Sequence, residues 1–138
     1  MKRPIVRGEL ALRAPSTAAT PLDLPIARDL LDTLTAHADD CVGLAANMIG
    51  QRKRIIAFTD YDKGKNCVML NPEIVSKSNP YEAQEGCLSL AGARDAKRYA
   101  FITVRYQDES FAWKTEDFKG YTAQIIQHEI DHCNGVVI

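Results

Sequence analysis

Two histidines separated by three residues give the strongest chemical signal in the sequence, as His128-Glu129-Ile130-Asp131-His132. Residues four apart on a helix lie on the same face, one turn apart, so both imidazoles can reach one divalent metal ion. Glu129 is rotated about 100° from His128 around the helix axis, which places its carboxylate beside the metal. There it can take a proton from water and later give it to a leaving group, as metal-assisted hydrolysis requires.

The alternative is a surface helix that carries two histidines and two acids without a metal. The neighbouring residues Ile125, Ile126 and Ile130 argue against it, because they make the helix too apolar for the surface. Charged side chains in a buried helix need partners. The pattern therefore predicts metal binding.

The third metal ligand is expected upstream of the histidines. Catalytic sites usually have three protein ligands and one open position, and none of the six residues that follow His132 is His, Asp or Glu. Cys133 points about 100° away from His132, so we expect it to pack in the core. Cys87 is the best candidate, because Gly86 before it permits close backbone approach and a thiolate binds transition metals well.

Two helices are predicted to flank the strands. Helical spacing of apolar residues predicts an amphipathic helix over residues 24–38, with Asp23 as its N-cap and Pro25 in its first turn. A late helix begins near Tyr121, carries both histidines and ends at Gly135, a typical C-cap residue.

Three strands are predicted, at residues 54–59, 67–70 and 101–106, with a turn at 61–66. Strands followed by a late helix favour an α+β fold over a parallel βαβ array. We expect one domain, residues 1–138, with small antiparallel or mixed sheets packed around the late helix.

The composition excludes several classes of protein. Lys and Arg total 17 against 18 Asp and Glu, so no net field recruits DNA or an anionic membrane. No apolar run reaches the length of about 18 residues that a membrane span needs, and no signal peptide is predicted. The four cysteines are scattered, which favours a reducing, cytoplasmic location, with Cys41 and Cys67 as core thiols.

Three short motifs resemble those of the peptide deformylase family, and the resemblance spans nearly the whole chain. They are Val42-Gly-Leu-Ala-Ala-Asn-Met48, Glu85-Gly-Cys-Leu-Ser89 and Gln127-His-Glu-Ile-Asp-His132. The second and third match the family pattern in full. Because so few residues follow the last histidine, the sequence resembles the short, Gram-positive type of member, without the C-terminal helix that some members carry.

The resemblance implies removal of the formyl group from N-formylmethionyl nascent peptides. Cys87, His128 and His132 would hold one divalent metal ion, commonly iron(II), with zinc(II), nickel(II) or cobalt(II) as substitutes. Glu129 would act first as base and then as acid. The backbone N–H of Leu88 would donate to the oxygen that becomes negatively charged when water attacks the formyl group.

The resemblance also implies a set of substrate-binding residues. Backbone groups would bind the peptide as an added strand, and an apolar pocket would take the methionine side chain. Arg94 occupies a position where the family often has a substrate-facing arginine, and a solvated loop arginine is an equal alternative. The strand-binding residues are Gly43 and Gly86, and the pocket residues are Val42, Tyr121 and Ile125.

The first motif departs from the family pattern at both ends. Cys41 stands where the family usually has glycine, and Met48 stands where it has glutamine. Glutamine would donate a hydrogen bond to the developing oxyanion, and methionine has no N–H. We therefore expect a slower enzyme, and the alternative is a homologue with weak or lost activity that keeps the metal for binding or structure.

Three further alternatives depend on features outside the motifs. A zinc endopeptidase would need a downstream ligand, and a structural zinc module would need a fourth one; neither is evident. Contact with the ribosome could use the two basic clusters, for which solvated strand edges are the favoured interpretation. These clusters are Arg52-Lys-Arg54 and the group Arg94, Lys97, Arg98 and Arg105.

Overall fold

Five antiparallel strands form one sheet in the computed structural model, which describes residues 1–138. Each strand pairs with the next one along the chain. The α+β class is confirmed, but the sheet is single and antiparallel. An isolated parallel bridge, Thr17–Lys53, lies outside its strands. The strands are β1 (Gly43–Ala45), β2 (Ile55–Asp60), β3 (Lys65–Cys87), β4 (Leu90–Gln107) and β5 (Trp113–Lys119).

Two helices pack on opposite faces of the sheet. Helix α1 (Leu24–Ala36) precedes the sheet and helix α2 (Gly120–Cys133) follows it. Successive residues of a strand point to opposite faces, so β2 contributes Ile55 to the core under α1 and Ile56 to the core under α2. Neither helix is long and apolar enough to cross a membrane.

The β3–β4 hairpin is much longer than predicted. Only its most apolar parts, 67–70 and 101–106, were predicted as strands. The predicted turn at 61–66 overlaps the start of β3 at Lys65. The intervening residues are polar and largely exposed, so no apolar alternation marks them. Their strand conformation comes from pairing across the hairpin, which is interrupted by register shifts between Leu70 and Glu73, Ile74 and Ser76, and Gly86 and Cys87.

The start of α1 differs in detail from the prediction. Pro25 lies in the first turn as expected, but the Asp23 side chain makes no capping bond to α1. Its Oδ2 accepts the Thr20 N–H at 2.8 Å, because a short 3₁₀ helix (Pro21–Asp23) precedes α1 and is itself capped by Thr20. The helix ends two residues before the predicted 38, at Ala36.

Helix α2 ends as predicted. Gly135 follows the C-cap residue Asn134 with φ +77°. Its N–H donates to the His132 carbonyl, and the next N–H, of Val136, donates to the Asp131 carbonyl. This pair of bonds is a Schellman motif, and it fixes the helix turn that carries His132.

Candidate metal centre and substrate cleft

Cys87, His128 and His132 converge on one point between the sheet and α2. One ligand atom from each of the three lies within 4.8 Å of the other two. Cys87 is the last residue of β3, and the histidines lie one turn apart on α2. The three ligands predicted from the sequence are therefore brought together across 41 and 45 positions of the chain.

The hydrogen bonds of the histidines leave one ring nitrogen of each free for a metal. His128 Nδ1 donates to Glu85 Oε1 at 2.7 Å, and His132 Nε2 donates to the Ile138 carbonyl at 3.1 Å. His132 Nδ1 and Glu129 Oε1 are buried 3.3 Å apart, but neither makes a hydrogen bond. Buried polar atoms without partners are costly, so these two atoms fit a site that holds an ion.

A buried ionic network supports the metal site from behind. Arg98 makes two bonds to the Glu85 carboxylate, at 2.7 and 2.9 Å, and one to Asp131 at 2.7 Å. Gln124 Nε2 also donates to Glu85, at 2.9 Å. Carboxylates that bind the second nitrogen of a ligating histidine fix the orientation of its ring, so Glu85 and Arg98 position His128.

The same contacts shift the acidity of the site residues. Burial would raise the pKa of Glu85, but the bonds from His128 and Arg98 lower it to about 2. Burial would also raise the pKa of Cys87, but the neighbouring His128 and His132 side chains lower it to about 7. Cys87 is therefore ready to bind a metal as a thiolate.

Glu129 lies against β1 where only glycine leaves room for it. A Cβ atom on residue 43 would lie 2.8 Å from Glu129 Oε2 and 2.7 Å from Ile125 Cγ2. Gly43 thus allows the Glu129 carboxylate to reach the cleft beside the metal ligands. The sequence predicts that the Gly43 backbone binds a peptide. This packing allows that role, because β1 pairs with β2 and no strand pairs with its other edge.

A cleft of about 620 Å³ opens over the ligands. Tyr121 is 54% exposed and stacks on Tyr61 with ring centroids 5.6 Å apart, so it forms the rim of the cleft. Ile125 is buried in its wall. The predicted site residues that line the cleft are Val42, Gly43, Met48, Gly86, Cys87, Leu88, Tyr121, Ile125, His128 and Glu129.

The positions of Arg94 and Cys41 bear on two of the expectations from the sequence. Arg94 does not line the cleft; it donates to the Ala91 carbonyl at 3.3 Å and lies 3.7 Å from Glu9. Cys41 was predicted to be a core thiol but lines the cleft, with its Sγ 3.0 Å from the Gly43 carbonyl. Burial and the nearby Glu129 charge raise the pKa of Cys41 to about 12, so it stays protonated.

Cys133 and Cys67 differ in how deeply they are buried. Cys133 is fully buried, as predicted. Cys67 was also predicted to be a core thiol, but it is only partly buried at the margin of the core under α2. It lies near the start of β3, where the strand is still exposed.

The basic clusters are less solvated than expected. Arg98 is 4% exposed, and Arg54 donates to Asn134 Oδ1 at 2.8 Å and to the Pro72 carbonyl at 3.0 Å. The burial of Arg98 could have been predicted from the sequence. It is separated by an even number of residues from Ile102 and Val104, which are buried on the same strand, so all three point to the same face. An arginine on that face needs an acidic partner.

Comparison with known proteins identifies the family. The polypeptide deformylase family pattern matches residues 3–138. A peptide deformylase from Clostridium beijerinckii is 51% identical, and the match covers all of both chains. One from Pseudothermotoga lettingae is 39% identical over 94% of this chain and 76% of its own.

Solved structures agree with the sequence relatives. A class I type b peptide deformylase from Acinetobacter baumannii, with Met-Ala-Ser bound, has a TM-score of 0.88 and 26% identity over 99% of this chain and 97% of its own. The peptide deformylase from Thermotoga maritima has a TM-score of 0.84 and 33% identity over 99% and 94%. This chain therefore belongs to the polypeptide deformylase family.

Proposed function

We propose that this chain removes the formyl group from N-formylmethionyl peptides and releases formate. The observation that carries the proposal is a Cys-His-His ligand set with an unpaired buried carboxylate, Glu129, at the floor of a cleft. The family assignment by sequence over the whole chain supports the same reaction.

The three ligands fit one divalent metal ion. A thiolate and two imidazoles suit a transition metal rather than magnesium or calcium, and three ligands leave a position open for chemistry. When bound, the ion would polarise the formyl carbonyl and acidify water. Iron(II) is the proposed native metal, with zinc(II), nickel(II) and cobalt(II) as substitutes.

The side chains and backbone of the cleft would move the protons and stabilise the charge. Glu129 takes a proton from water as the water oxygen attacks the formyl carbon. The negative charge that forms on the formyl oxygen is stabilised by the Leu88 N–H, which donates to no group within the protein. Glu129 then gives its proton to the amine nitrogen as the carbon–nitrogen bond breaks, leaving formate and a peptide with a free amino group.

The substrate would bind along the free edge of β1 as an added strand. Backbone groups of Gly43 on one side of the cleft and Gly86 on the other would fix the peptide, and Val42, Ile125 and Tyr121 would contact its methionine side chain. The Met-Ala-Ser peptide bound by the Acinetobacter baumannii relative also begins with methionine.

The proposal also covers where in the cell the reaction takes place. N-formylmethionyl peptides are nascent chains, so transient contact with the ribosome is a further prediction. A reducing cytoplasm would keep Cys87 available as a ligand.

The direct test is formate release by the metal-loaded protein. Formyl-Met-Ala-Ser should release formate, and acetyl-Met-Ala-Ser should yield no acetate. Glu129→Gln should keep one metal ion per chain but lose turnover by about 10²–10⁴-fold, since general acid–base help is typically worth that much. Absence of formate release by the fully metallated parent would favour the homologue without activity, and a Glu129→Gln rate within twofold of the parent would exclude Glu129.

A further inference from the structure

We propose that residues Val6–Gly8, the N-terminal clamp, position the Leu88 N–H for its contact with the formyl oxygen. The inference rests on the role proposed above for Leu88. It assigns a function to a segment that lies 81 positions away in the sequence and does not line the cleft.

The Leu88 donor lies in a turn that has little restraint of its own. Leu88 and Ser89 are the two residues between β3 and β4, and the pair Cys87–Leu90 closes the turn. The N–H groups of Leu88 and Ser89 donate to no backbone or side-chain acceptor, and the buried Ser89 hydroxyl also has no partner. Apart from the packing of the Leu88 side chain against the core, the orientation of this turn therefore depends on what binds its carbonyl groups.

Both carbonyl groups of the turn are bound by the clamp. Arg7 Nη1 donates to the Leu88 carbonyl at 2.5 Å, and the Gly8 N–H donates to the Ser89 carbonyl at 2.8 Å. Gly8 has φ +96°, a conformation that other residues rarely adopt, so it sets the path of the clamp at this point.

The clamp also binds the other side of the oxyanion site. The Val6 N–H donates to the Met48 carbonyl at 2.8 Å, so three consecutive residues connect the Leu88 turn with the residue that replaces the family's glutamine. With that glutamine absent, Leu88 is the protein donor left to stabilise the oxyanion. Because an error of 1 Å in such a contact can cost about 10²-fold in rate, the bonds that hold the turn should affect turnover.

The test compares variants of two arginines near the N-terminus, Arg7 in the clamp and Arg3 outside it. Arg7→Met removes the bond to Leu88 and should lower kcat about tenfold, a fraction of the 10²–10³ lost when a whole oxyanion donor is removed. KM should stay within about twofold because the contact matters most in the transition state. Arg7→Lys, which keeps a donor, should recover part of the loss. Arg3→Met is the matched control, since Arg3 binds Asp29 instead, and it should leave kcat unchanged.

Metal content and melting temperature are measured on each variant. One metal ion per chain and a parental melting temperature in Arg7→Met, with a lower kcat, support positioning. Gly8→Ala, which strains the clamp backbone, should also lower kcat more than KM. If the parent releases formate but Arg7→Met keeps kcat within twofold, or if Arg3→Met loses as much, the clamp has no positioning role. If the parent itself releases no formate, the proposed function fails instead.

Discussion

The Met48 side chain is 1% exposed, and its sulfur accepts the Ala45 N–H at 3.4 Å. A glutamine at this position could accept the same N–H through its side-chain oxygen and direct its amide N–H₂ into the cleft. Methionine has an acceptor but no donor. The neighbouring Asn47 does not fill this gap, because it does not line the cleft and its Nδ2 donates to the His132 carbonyl at 3.0 Å.

Met48→Gln should therefore raise kcat. An added oxyanion donor is worth up to about 10²–10³ in turnover, and we expect at least a tenfold gain, with a smaller change in KM. Steady-state formate release at matched metal content measures it. Met48→Leu, which has similar volume and no donor, is the control and should not exceed the parent. An unchanged or lower kcat in folded, metallated Met48→Gln would mean that another group already contacts the oxyanion.

At the scale of secondary-structure elements, Arg98 links β4 to β3 and to α2. From β4 it binds Glu85 near the end of β3 and Asp131 on α2, so one guanidinium fixes the positions from which Cys87 and His128 approach each other. Gln127 adds a second link between α2 and β4, with its Nε2 donating to the Tyr99 carbonyl at 2.8 Å and its Oε1 accepting the Tyr99 N–H at 2.9 Å.

Arg98→Met should weaken both the fold and the metal site. Breaking a buried ion pair by removing one partner costs about 3–5 kcal/mol, and loss of the residues behind a metal ligand typically weakens metal affinity about 10–100-fold. Urea unfolding and competition with a chelator would measure the two effects. Arg105→Met is the control, because Arg105 is exposed and stacks on Trp113. Parental metal affinity in Arg98→Met would show that the network does not support the site.

The end of α2 depends on Gly135 for two reasons. Its φ is +77°, and a Cβ there would lie 2.5 Å from the Arg13 carbonyl oxygen. The N-terminal segment thus passes directly over the helix end that carries His132.

Gly135→Ala should destabilise the protein by more than the roughly 1–2 kcal/mol that left-handed backbone alone costs. Gly64→Ala separates the two causes, because Gly64 has φ +68° but open space around its Cβ position. The free energies of unfolding of the two variants would be compared. Equal losses would mean that the chain near Arg13 moves aside at no cost.

At the scale of the whole molecule, the metal ligands come from both the sheet and helix α2. Cys87 belongs to the sheet and the two histidines to the helix that packs on it, so a bound ion would link the two layers. Binding to the folded state alone stabilises it by mass action.

Removal of the metal should lower the melting temperature. A ligand at 100 times its Kd adds about 2.7 kcal/mol, which corresponds to a shift of about 5–10 °C for a domain of this size. Thermal unfolding with and without a chelator measures the shift. Cys87→Ala should bind little metal and show almost no response to the chelator. A parent that loses its metal without any change in melting temperature would contradict a link between the layers.

Sequence patterns alone predicted the set of metal ligands, the acid–base residue and the helix that carries His128, Glu129 and His132. His128 and His132 are four positions apart on a helix, and their relative geometry is set by local backbone structure alone. The ending of that helix at Gly135 is equally local, because it depends on the conformational freedom of one residue.

The surroundings of those residues depend on the tertiary structure. Arg98 meets Glu85 and Asp131, Arg7 meets Leu88, and Cys41 enters the cleft. Each of these contacts joins distant parts of the chain or depends on how the layers pack around the cleft. Side-chain placement in a strand changes face with a shift of a single residue, and the β3–β4 pairing shifts register three times before it reaches Cys87. Local patterns in the sequence do not contain those shifts, so the partners of the metal ligands could be found only in the folded chain.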